Sequence, residues 1–260
     1  MGFMANVRFG IRLGNLRLVL EAIKQIENWP DYFLDFLSLR RNGLIIYRMK
    51  NGLKYAARAG TSDRAVITTV HLADDYGINK ISFPPDAVVI DIGSHIGIVS
   101  SFIANKVKQV FSYEPVPENY RMLLKNLELN GLSGKVRAFN SAVSGRNGKL
   151  RIFLSKDMTC SHSAYGNGKE SIEVPAVSLK DVFDSNGIKE CELLKIDAEG
   201  SEYEMLYGLP QSYFKGIRRI SIEYHAIGGE GHDPESLMRF LEILGYRVRR
   251  WSIYLFAERV

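Results

Sequence analysis

The chain has 260 residues, of which 46% are hydrophobic, so it is long enough to bury a full core. Its formal charge is +5, but Lys and Arg are scattered in short clusters, so a nucleic-acid partner is not indicated. No apolar run approaches the roughly 18 residues of a membrane span, and no signal-peptide core is found. The two cysteines, Cys160 and Cys191, lack metal-site spacing, so we expect reduced thiols in a cytoplasmic protein.

The N-terminal quarter is organised differently from the rest, and we predict an extension over residues 1–80 followed by one α/β domain over residues 81–260. Apolar residues recur at helical spacing over residues 11–26, with basic residues among them, which predicts an amphipathic helix. Such a helix can lie on a membrane surface. Packing on its own domain, or on a second subunit in a homodimer, is favoured.

Two further elements are predicted in this extension. Residues 43–49 and 53–57 flank an Asn-Gly pair at positions 51 and 52, which is typical of a β-hairpin with a type I′ turn. Residues 61–63 read Thr-Ser-Asp and can cap a helix that continues to about Leu72.

The strongest strand signal is the apolar, β-branched run over residues 87–92, which is typical of a parallel strand covered on both faces. Gly93 and Gly97 follow it, and without Cβ atoms they let the backbone approach a ligand closely. The next strand ends at Glu114, about 20 residues further on, where a carboxylate can bind both hydroxyls of a ribose. These two strand ends predict a nucleoside-binding edge.

Asp91 distinguishes between two kinds of nucleoside site. Dinucleotide-binding turns hold a pyrophosphate, which a carboxylate just before the first glycine would repel. The same carboxylate is favourable near the sulfonium and ammonium groups of S-adenosylmethionine. The sequence therefore argues against an NAD-dependent oxidoreductase and favours a site for S-adenosylmethionine.

The rest of the chain alternates between strands and helices, which predicts a mostly parallel sheet with helices on both faces. Residues 149–154 and 171–177 alternate in hydrophobicity and are expected to pair as an antiparallel ribbon. Residues 247–249 and 252–258 are expected to form a closing hairpin. The other predicted elements are helices over 117–130 and 234–244 and strands over 135–140, 192–196 and 219–224.

Polar side chains occur at five successive strand ends of this predicted sheet. Ligands of such sheets bind beyond the carboxyl ends of the strands. Any one of these residues could be only a turn former or a helix cap. Five together favour a binding site over a purely structural role. They are Asp91, Glu114, Asn140, Asp197 and Glu223.

Several segments match the motifs of a known family and cover most of the span from Asp86 to Gly208. They read V-I-D-I-G-S-H-I-G (89–97), Y-E-P-V-P-E-N (113–119), N-S-A-V-S (140–144) and L-K-I-D-A-E-G-S-E-Y (194–203), with R-A-G-T-S-D (58–63) before them. In these segments the chain resembles the FkbM-type S-adenosylmethionine-dependent methyltransferases. The segment over 194–203 is the most specific of the set.

The resemblance implies a Rossmann-like class I methyltransferase fold, with a seven-stranded sheet whose last strand runs antiparallel. Family members of known activity O-methylate hydroxyls on sugars and other natural products, so the implied partner is a small-molecule or glycan acceptor. Glu114 would bind the ribose, residues 140–142 the adenine, and Asp197 would lie closest to the sulfonium. The implied cofactor-binding residues are Asp91, Gly93, Ser94, His95, Gly97, Glu114, Pro115, Asn140, Ser141, Ala142 and Asp197.

A sugar hydroxyl is a weak nucleophile, so a base within hydrogen-bond reach would help the reaction. The candidates are Asp197, Glu199 and His225. Asp197, Glu223 and His225 could also supply hard metal ligands, but no clustered acidic pair is evident, so we predict no required metal. The main alternative is a binding or scaffold protein of the same fold that has lost catalysis.

Overall fold

The structure is a computed structural model and describes residues 16–40, 42–154, 170–225 and 227–260. Its N-terminal part holds three helices and a hairpin, of which the helix Trp29–Phe36 is not predicted from the sequence, and the division into an extension and a domain stays a prediction. These elements are α1 (Leu16–Gln25), α2 (Trp29–Phe36), β1 (Leu44–Arg48), β2 (Lys54–Arg58) and α3 (Asp63–Ile67).

Helix α1 confirms the predicted amphipathic helix over its described part, while residues 11–15 lie outside the described residues. Ala22 is fully buried and Leu18 packs against the core, so one face of α1 contacts the rest of the chain. Leu16 and Leu20 are exposed on another face. The homodimer remains a prediction.

The hairpin is confirmed, but its turn is not of type I′. Strands β1 and β2 pair antiparallel up to Arg48 and Lys54, which leaves a longer loop than the two residues of a type I′ turn. The Gly52 amide donates to the Met49 carbonyl, and only Gly52 in the loop has a positive φ, of 90°. A type I′ turn needs positive φ at both central residues, so this loop is a type I turn followed by a glycine bulge.

Helix α3 begins at the predicted cap and continues as a π-helical segment, Thr68–Ala73. His71 lies in that segment and is buried. Its Nε2 lies 2.9 Å from the Tyr55 hydroxyl, and its ring packs edge-on against Phe102. The predicted helix is therefore confirmed, with a change of helical type in its second half.

The main sheet has seven strands in the order β11-β12-β10-β9-β3-β4-β5. Strand β12 runs antiparallel to both of its neighbours, β11 and β10. The five strands β10, β9, β3, β4 and β5 are parallel to one another. This confirms the predicted sheet and its antiparallel last strand. The strands are β3 (Val88–Ile92), β4 (Gln109–Tyr113), β5 (Val136–Phe139), β9 (Cys191–Ile196), β10 (Ile217–Glu223), β11 (Tyr246–Trp251) and β12 (Tyr254–Arg259).

The predicted antiparallel ribbon is also confirmed. It consists of β7 (Gly148–Phe153) and β8 (Ser171–Ser178), and a short strand, β6 (Ala142–Ser144), adds to β8 in parallel. Residues 155–169, with Cys160, lie outside the described residues. The ribbon forms a sheet of its own beside the main sheet.

Helices cover the main sheet on both faces, as predicted. Val89 of β3 belongs to a core cluster that also holds Tyr47 and Tyr55 of the N-terminal hairpin. Ile90 and Ile92 point to a second cluster on the other face. The remaining helices are α4 (Ile98–Ala104), α5 (Pro117–Leu129), α6 (Leu179–Ser185), α7 (Glu202–Gly208), α8 (Gln211–Phe214) and α9 (Pro234–Ile243).

Among the helices of the described ranges, none has the length and apolarity needed to cross a membrane.

We expect His71 to make the folded state less stable in acid. Burial lowers the pKa of His71 to about 4 from 6.5, so the unfolded chain takes up a proton before the folded chain does. Its contribution is complete above pH 6.5 and is lost as the pH falls toward 4. The free energy of unfolding in urea should fall by about 2 to 3 kcal/mol more in the wild type than in His71→Gln between about pH 7 and about pH 4.5. Equal losses in both proteins would contradict this assignment.

Candidate functional site

A cavity of about 460 Å³ opens at the carboxyl ends of the parallel strands, where sheets of this type bind ligands. Nine predicted site residues line it, and four do not. Those that line it are Gly93, Ser94, His95, Glu114, Pro115, Ala142, Asp197, Glu199 and His225. Asp91, Gly97, Asn140 and Ser141 are not among its lining residues.

The glycine turn after β3 fits closely against the end of β9. Gly93 has a φ of 71°, and a Cβ atom there would lie 1.8 Å from the carbonyl oxygen of Asp197. Gly97 has a φ of 80°, and its Cβ would lie 3.1 Å from the side chain of Leu123. Both positions need glycine for conformation, and Gly93 needs it also for the approach of two strand ends.

Asp91 lies behind the cavity wall rather than in it. Its carboxylate is fully buried, accepts a hydrogen bond of 2.6 Å from Ser100 and lies 3.3 Å from the Lys195 ammonium. The same ammonium donates to the Gly93 carbonyl at 2.8 Å. Asp91 thus holds Lys195, and Lys195 holds the glycine turn, whereas the sequence argument placed Asp91 against the ligand itself.

Glu114 ends β4 as a buried carboxylate of fixed orientation on the cavity wall. One of its oxygens accepts from the His95 amide at 2.8 Å and the other from the Val116 amide at 2.9 Å. Burial raises the pKa of Glu114, while these hydrogen bonds favour its charged form. A carboxylate held from behind in this way suits recognition of paired hydroxyls.

The segment R-A-G-T-S-D (58–63) supports both the glycine turn and Glu114. Arg58 and Asp63 form a paired set of hydrogen bonds of 2.9 and 2.8 Å, and Asp63 is fully buried. Asp63 also lies 3.3 Å from the His95 ring, in the glycine turn. Arg58 donates to Asn119, which is hydrogen-bonded to Glu114. The motif thus connects the extension to both sides of the nucleoside edge.

Of the three residues predicted to bind the adenine, one lines the cavity and two hold the surrounding backbone. Asn140 donates to the backbone carbonyls of Glu114 and Pro115 at 2.9 and 3.0 Å, so it fixes the loop that follows β4. The Ser141 hydroxyl donates to backbone carbonyls, and Ala142 alone of the three faces the cavity.

Carboxylates gather at the opposite end of the cavity, around the hydroxyl of Tyr76. This hydroxyl lies 3.0 Å from Asp197 at the end of β9 and 3.0 Å from Glu223 at the end of β10. Burial, together with the charge of Asp197, raises the pKa of Glu223 to about 7. The buried ring of Tyr76 therefore joins two strand ends from outside the sheet.

His225 lies between two further carboxylates. Its Nδ1 is 2.5 Å from the fully buried Glu202 and its Nε2 is 3.4 Å from Glu199. Burial opposes the charge on His225, but Glu202 and the nearby carboxylates raise its pKa to about 10. Burial also raises the pKa of Glu199 to about 8. All three predicted catalytic residues are thus brought to one end of the cavity.

Two cavity residues have backbones in the left-handed region although they are not glycines. His95 and Glu199 both have a φ of 51°. Such conformations cost about 1 to 3 kcal/mol each and are concentrated at functional sites. His95 lies beside Glu114 at one end of the cavity, and Glu199 lies beside His225 at the other.

Sequence reasoning missed Tyr76, Tyr254 and Glu202 as members of the site. Tyr76 and Tyr254 line the cavity, and Glu202 contacts His225. Tyr76 lies between the matched segments 58–63 and 89–97, and Tyr254 lies in the last strand, so neither carries a local signal. Glu202 was within the quoted segment 194–203, and its position three residues after Glu199 was the available signal.

The strand order and the site together define a class I Rossmann-like methyltransferase fold. Residues 91–248 match the sequence family described as the methyltransferase FkbM domain. This match covers more than half of the chain, so the chain belongs to the FkbM methyltransferase family.

Three relatives are similar in sequence over 60% to 68% of the chain. "Methyltransferase sdnD" of Sordaria araneosa is 24% identical over 209 residues, which are 68% of this chain and 80% of that protein. "31-O-demethyl-FK506 methyltransferase FkbM" of Streptomyces tacrolimicus is 25% identical, over 61% of this chain and 73% of that one. "Hexuronic acid methyltransferase AglP" of Haloferax volcanii is 24% identical, over 60% of this chain and 62% of that one.

We expect Gly93→Ala to separate the ends of β3 and β9, because the new methyl group would overlap the Asp197 carbonyl. Gly187→Ala is the matched control, since Gly187 has a φ of 61° with nothing within 4 Å of its Cβ position. Thermal and urea unfolding should show Gly93→Ala to be less stable than this control by about 3 kcal/mol. Equal stability of the two variants would show that the close approach is not required.

Asp63→Ala should destabilise the protein strongly, because it leaves the Arg58 guanidinium without its buried partner. The expected loss in the free energy of unfolding is about 3 to 5 kcal/mol. Glu173→Ala, which removes one member of the exposed Lys149 ion pair, serves as the control and should leave stability unchanged. Similar unfolding curves for both variants would rule out a supporting role for the Arg58–Asp63 pair.

Proposed function

We propose that the protein is an S-adenosylmethionine-dependent methyltransferase that O-methylates a hydroxyl on a sugar or another natural product. The observation that carries the proposal is a single cavity with Glu114 at one end and the carboxylate cluster at the other. The names of two relatives, one specifying a hexuronic acid and the other 31-O-demethyl-FK506, support this acceptor class.

The residues present fit the cofactor. Glu114 offers a buried carboxylate, oriented by two backbone amides, for the hydroxyls of a ribose. The glycine turn brings backbone to the cavity wall, and Ala142 leaves room on the side proposed for the adenine. Asp197, 19% exposed, supplies negative charge facing the cavity near the position proposed for the sulfonium. When bound, S-adenosylmethionine supplies an activated methyl group.

The protein itself has to hold the acceptor, exclude water and take up a proton. Tyr76 and Tyr254 are buried beside the carboxylates and bring apolar ring surface to this end of the cavity. Asp197, Glu199 and His225 line this end of the cavity, where we place the acceptor hydroxyl. Because the pKa of His225 is raised to about 10, His225 keeps its proton near neutral pH, and Asp197 or Glu199 would accept the proton of the hydroxyl. A carboxylate-rich wall is also suited to hydrogen bonds with several hydroxyls of one sugar.

Calorimetry on the purified chain tests the cofactor. S-adenosylmethionine and S-adenosylhomocysteine should bind with micromolar affinity, and NAD should not bind. Binding of NAD alone would indicate an oxidoreductase. A folded sample that binds none of the three would support the scaffold alternative, and transfer of a labelled methyl group to hydroxylated acceptors tests the reaction itself.

Glu114→Gln should weaken binding of S-adenosylmethionine by about 1 to 3 kcal/mol, because it removes a buried charged hydrogen-bond partner but keeps its shape. Glu128→Gln changes an exposed glutamate of α5 and should leave the affinity as in the wild type. Calorimetric titration of both variants, after their unfolding curves have been compared, gives the two affinities. An unchanged affinity in folded Glu114→Gln would contradict the ribose assignment.

A further inference from the structure

We propose that Asp197, Glu223 and His225 form a binding site for a hard divalent cation of the Mg²⁺ or Mn²⁺ class, at which the acceptor hydroxyl is held. The role for the acceptor rests on the proposed function, whereas cation binding stands on the geometry alone. The three residues follow two adjacent strands, β9 and β10, and all of them line the cavity.

The three side chains are placed as ligands of one ion. Each offers one donor atom, and these atoms lie within 4.8 Å of one another. Two carboxylates and one imidazole make a donor set of oxygen and nitrogen atoms, which suits a hard divalent cation that keeps open positions for water or substrate. The side chains are only partly buried, so an ion can enter through the cavity.

Glu202 provides a second, independent indication. Histidines that bind metals almost always donate their other ring N–H to a carboxylate or carbonyl, which fixes the ring and its tautomer. Fully buried Glu202 lies 2.5 Å from His225 Nδ1, so an ion would bind Nε2, where it would replace the proton that faces Glu199 at 3.4 Å. The other oxygen of Glu202 is buried without a hydrogen-bond partner among the described residues. Glu202 is thus placed as a positioning residue for His225.

The charges of this end of the cavity also favour a cation. Lys195 lies 3.3 Å from Asp91 and 3.8 Å from Asp197, so its single charge is shared between them. Glu199, Glu202 and Glu223 bring three more carboxyl groups, and His225 is the remaining basic group of the cluster. Tyr76 contacts one oxygen of Asp197 and one of Glu223, and Tyr254 is also hydrogen-bonded to Glu223.

This proposal departs from the prediction of no required metal, for a definite reason. That prediction rested on the lack of an acidic pair close in sequence, whereas Asp197 and Glu223 become neighbours only because β9 and β10 are adjacent. The chemistry is consistent with the proposed transfer. A cation held by these residues would favour loss of the proton of the acceptor hydroxyl to a neighbouring carboxylate. The hydroxyl oxygen would then bond to the methyl carbon as the carbon–sulfur bond breaks to leave a neutral thioether.

The test uses Mn²⁺ as the probe, with the purified full chain first treated with chelator and then freed of it. Binding removes the electron paramagnetic resonance signal of free aqueous Mn²⁺. We expect one Mn²⁺ per chain, displaced by Mg²⁺. Glu223→Gln should weaken binding at least tenfold, and Glu202→Gln by about 10- to 100-fold, the usual loss when a partner of a ligating histidine is removed. Glu173→Gln, an exposed carboxylate in the ribbon, should bind as the wild type does.

The proposal is overturned if the signal of free Mn²⁺ persists with both the wild type and the control. This outcome does not depend on whether Glu223→Gln or Glu202→Gln folds. Equal binding by all four proteins would place the ion elsewhere and overturn it too. His225→Asn is the second variant if Glu223→Gln fails to fold. Calorimetry and methyl-transfer assays with S-adenosylmethionine in chelator separate the two proposals. Cofactor binding and methyl transfer that persist without Mn²⁺ or Mg²⁺ would sustain the methyltransferase and overturn the role of the cation at the acceptor.

Discussion

The close approach of Gly93 to the carbonyl of Asp197 is the constraint on which the site depends. It brings the ends of β3 and β9 together, and the Lys195 ammonium holds the same turn through the Gly93 carbonyl at 2.8 Å. Buried Asp91 balances the charge of that ammonium. Because these groups are out of water, the arrangement is rigid, and it fixes where the glycine turn and Asp197 lie relative to each other.

The N-terminal extension completes the site rather than merely preceding the domain. Arg58 and Asp63 connect it to the glycine turn and, through Asn119, to Glu114. Tyr76 connects it to the carboxylate end of the cavity. The matched family region begins at residue 91, so each of these contacts comes from outside that region.

The two ends of the cavity differ in how their carboxylates are satisfied. Glu114 receives hydrogen bonds from backbone amides, which favour its charge at a fixed position. The opposite end has several carboxyl groups around Tyr76 and His225, and burial, together with the neighbouring carboxylates, raises the pKa values of Glu199 and Glu223. One end of the cavity thus presents a single carboxylate held by backbone amides, and the other presents several neighbouring carboxyl groups.

The sequence by itself determined the strands, the parallel sheet and the positions of Gly93, Glu114 and Asp197, because a buried strand followed by a turn leaves a signal within a few residues. It did not determine the conformation of the hairpin loop, which depends on where strand pairing stops. Only the tertiary structure decided that Asp91 supports the wall, that Tyr76 joins the site, and that Asp197, Glu223 and His225 face one another. These are contacts between residues distant in sequence, and strand order, not local pattern, sets which side chains meet.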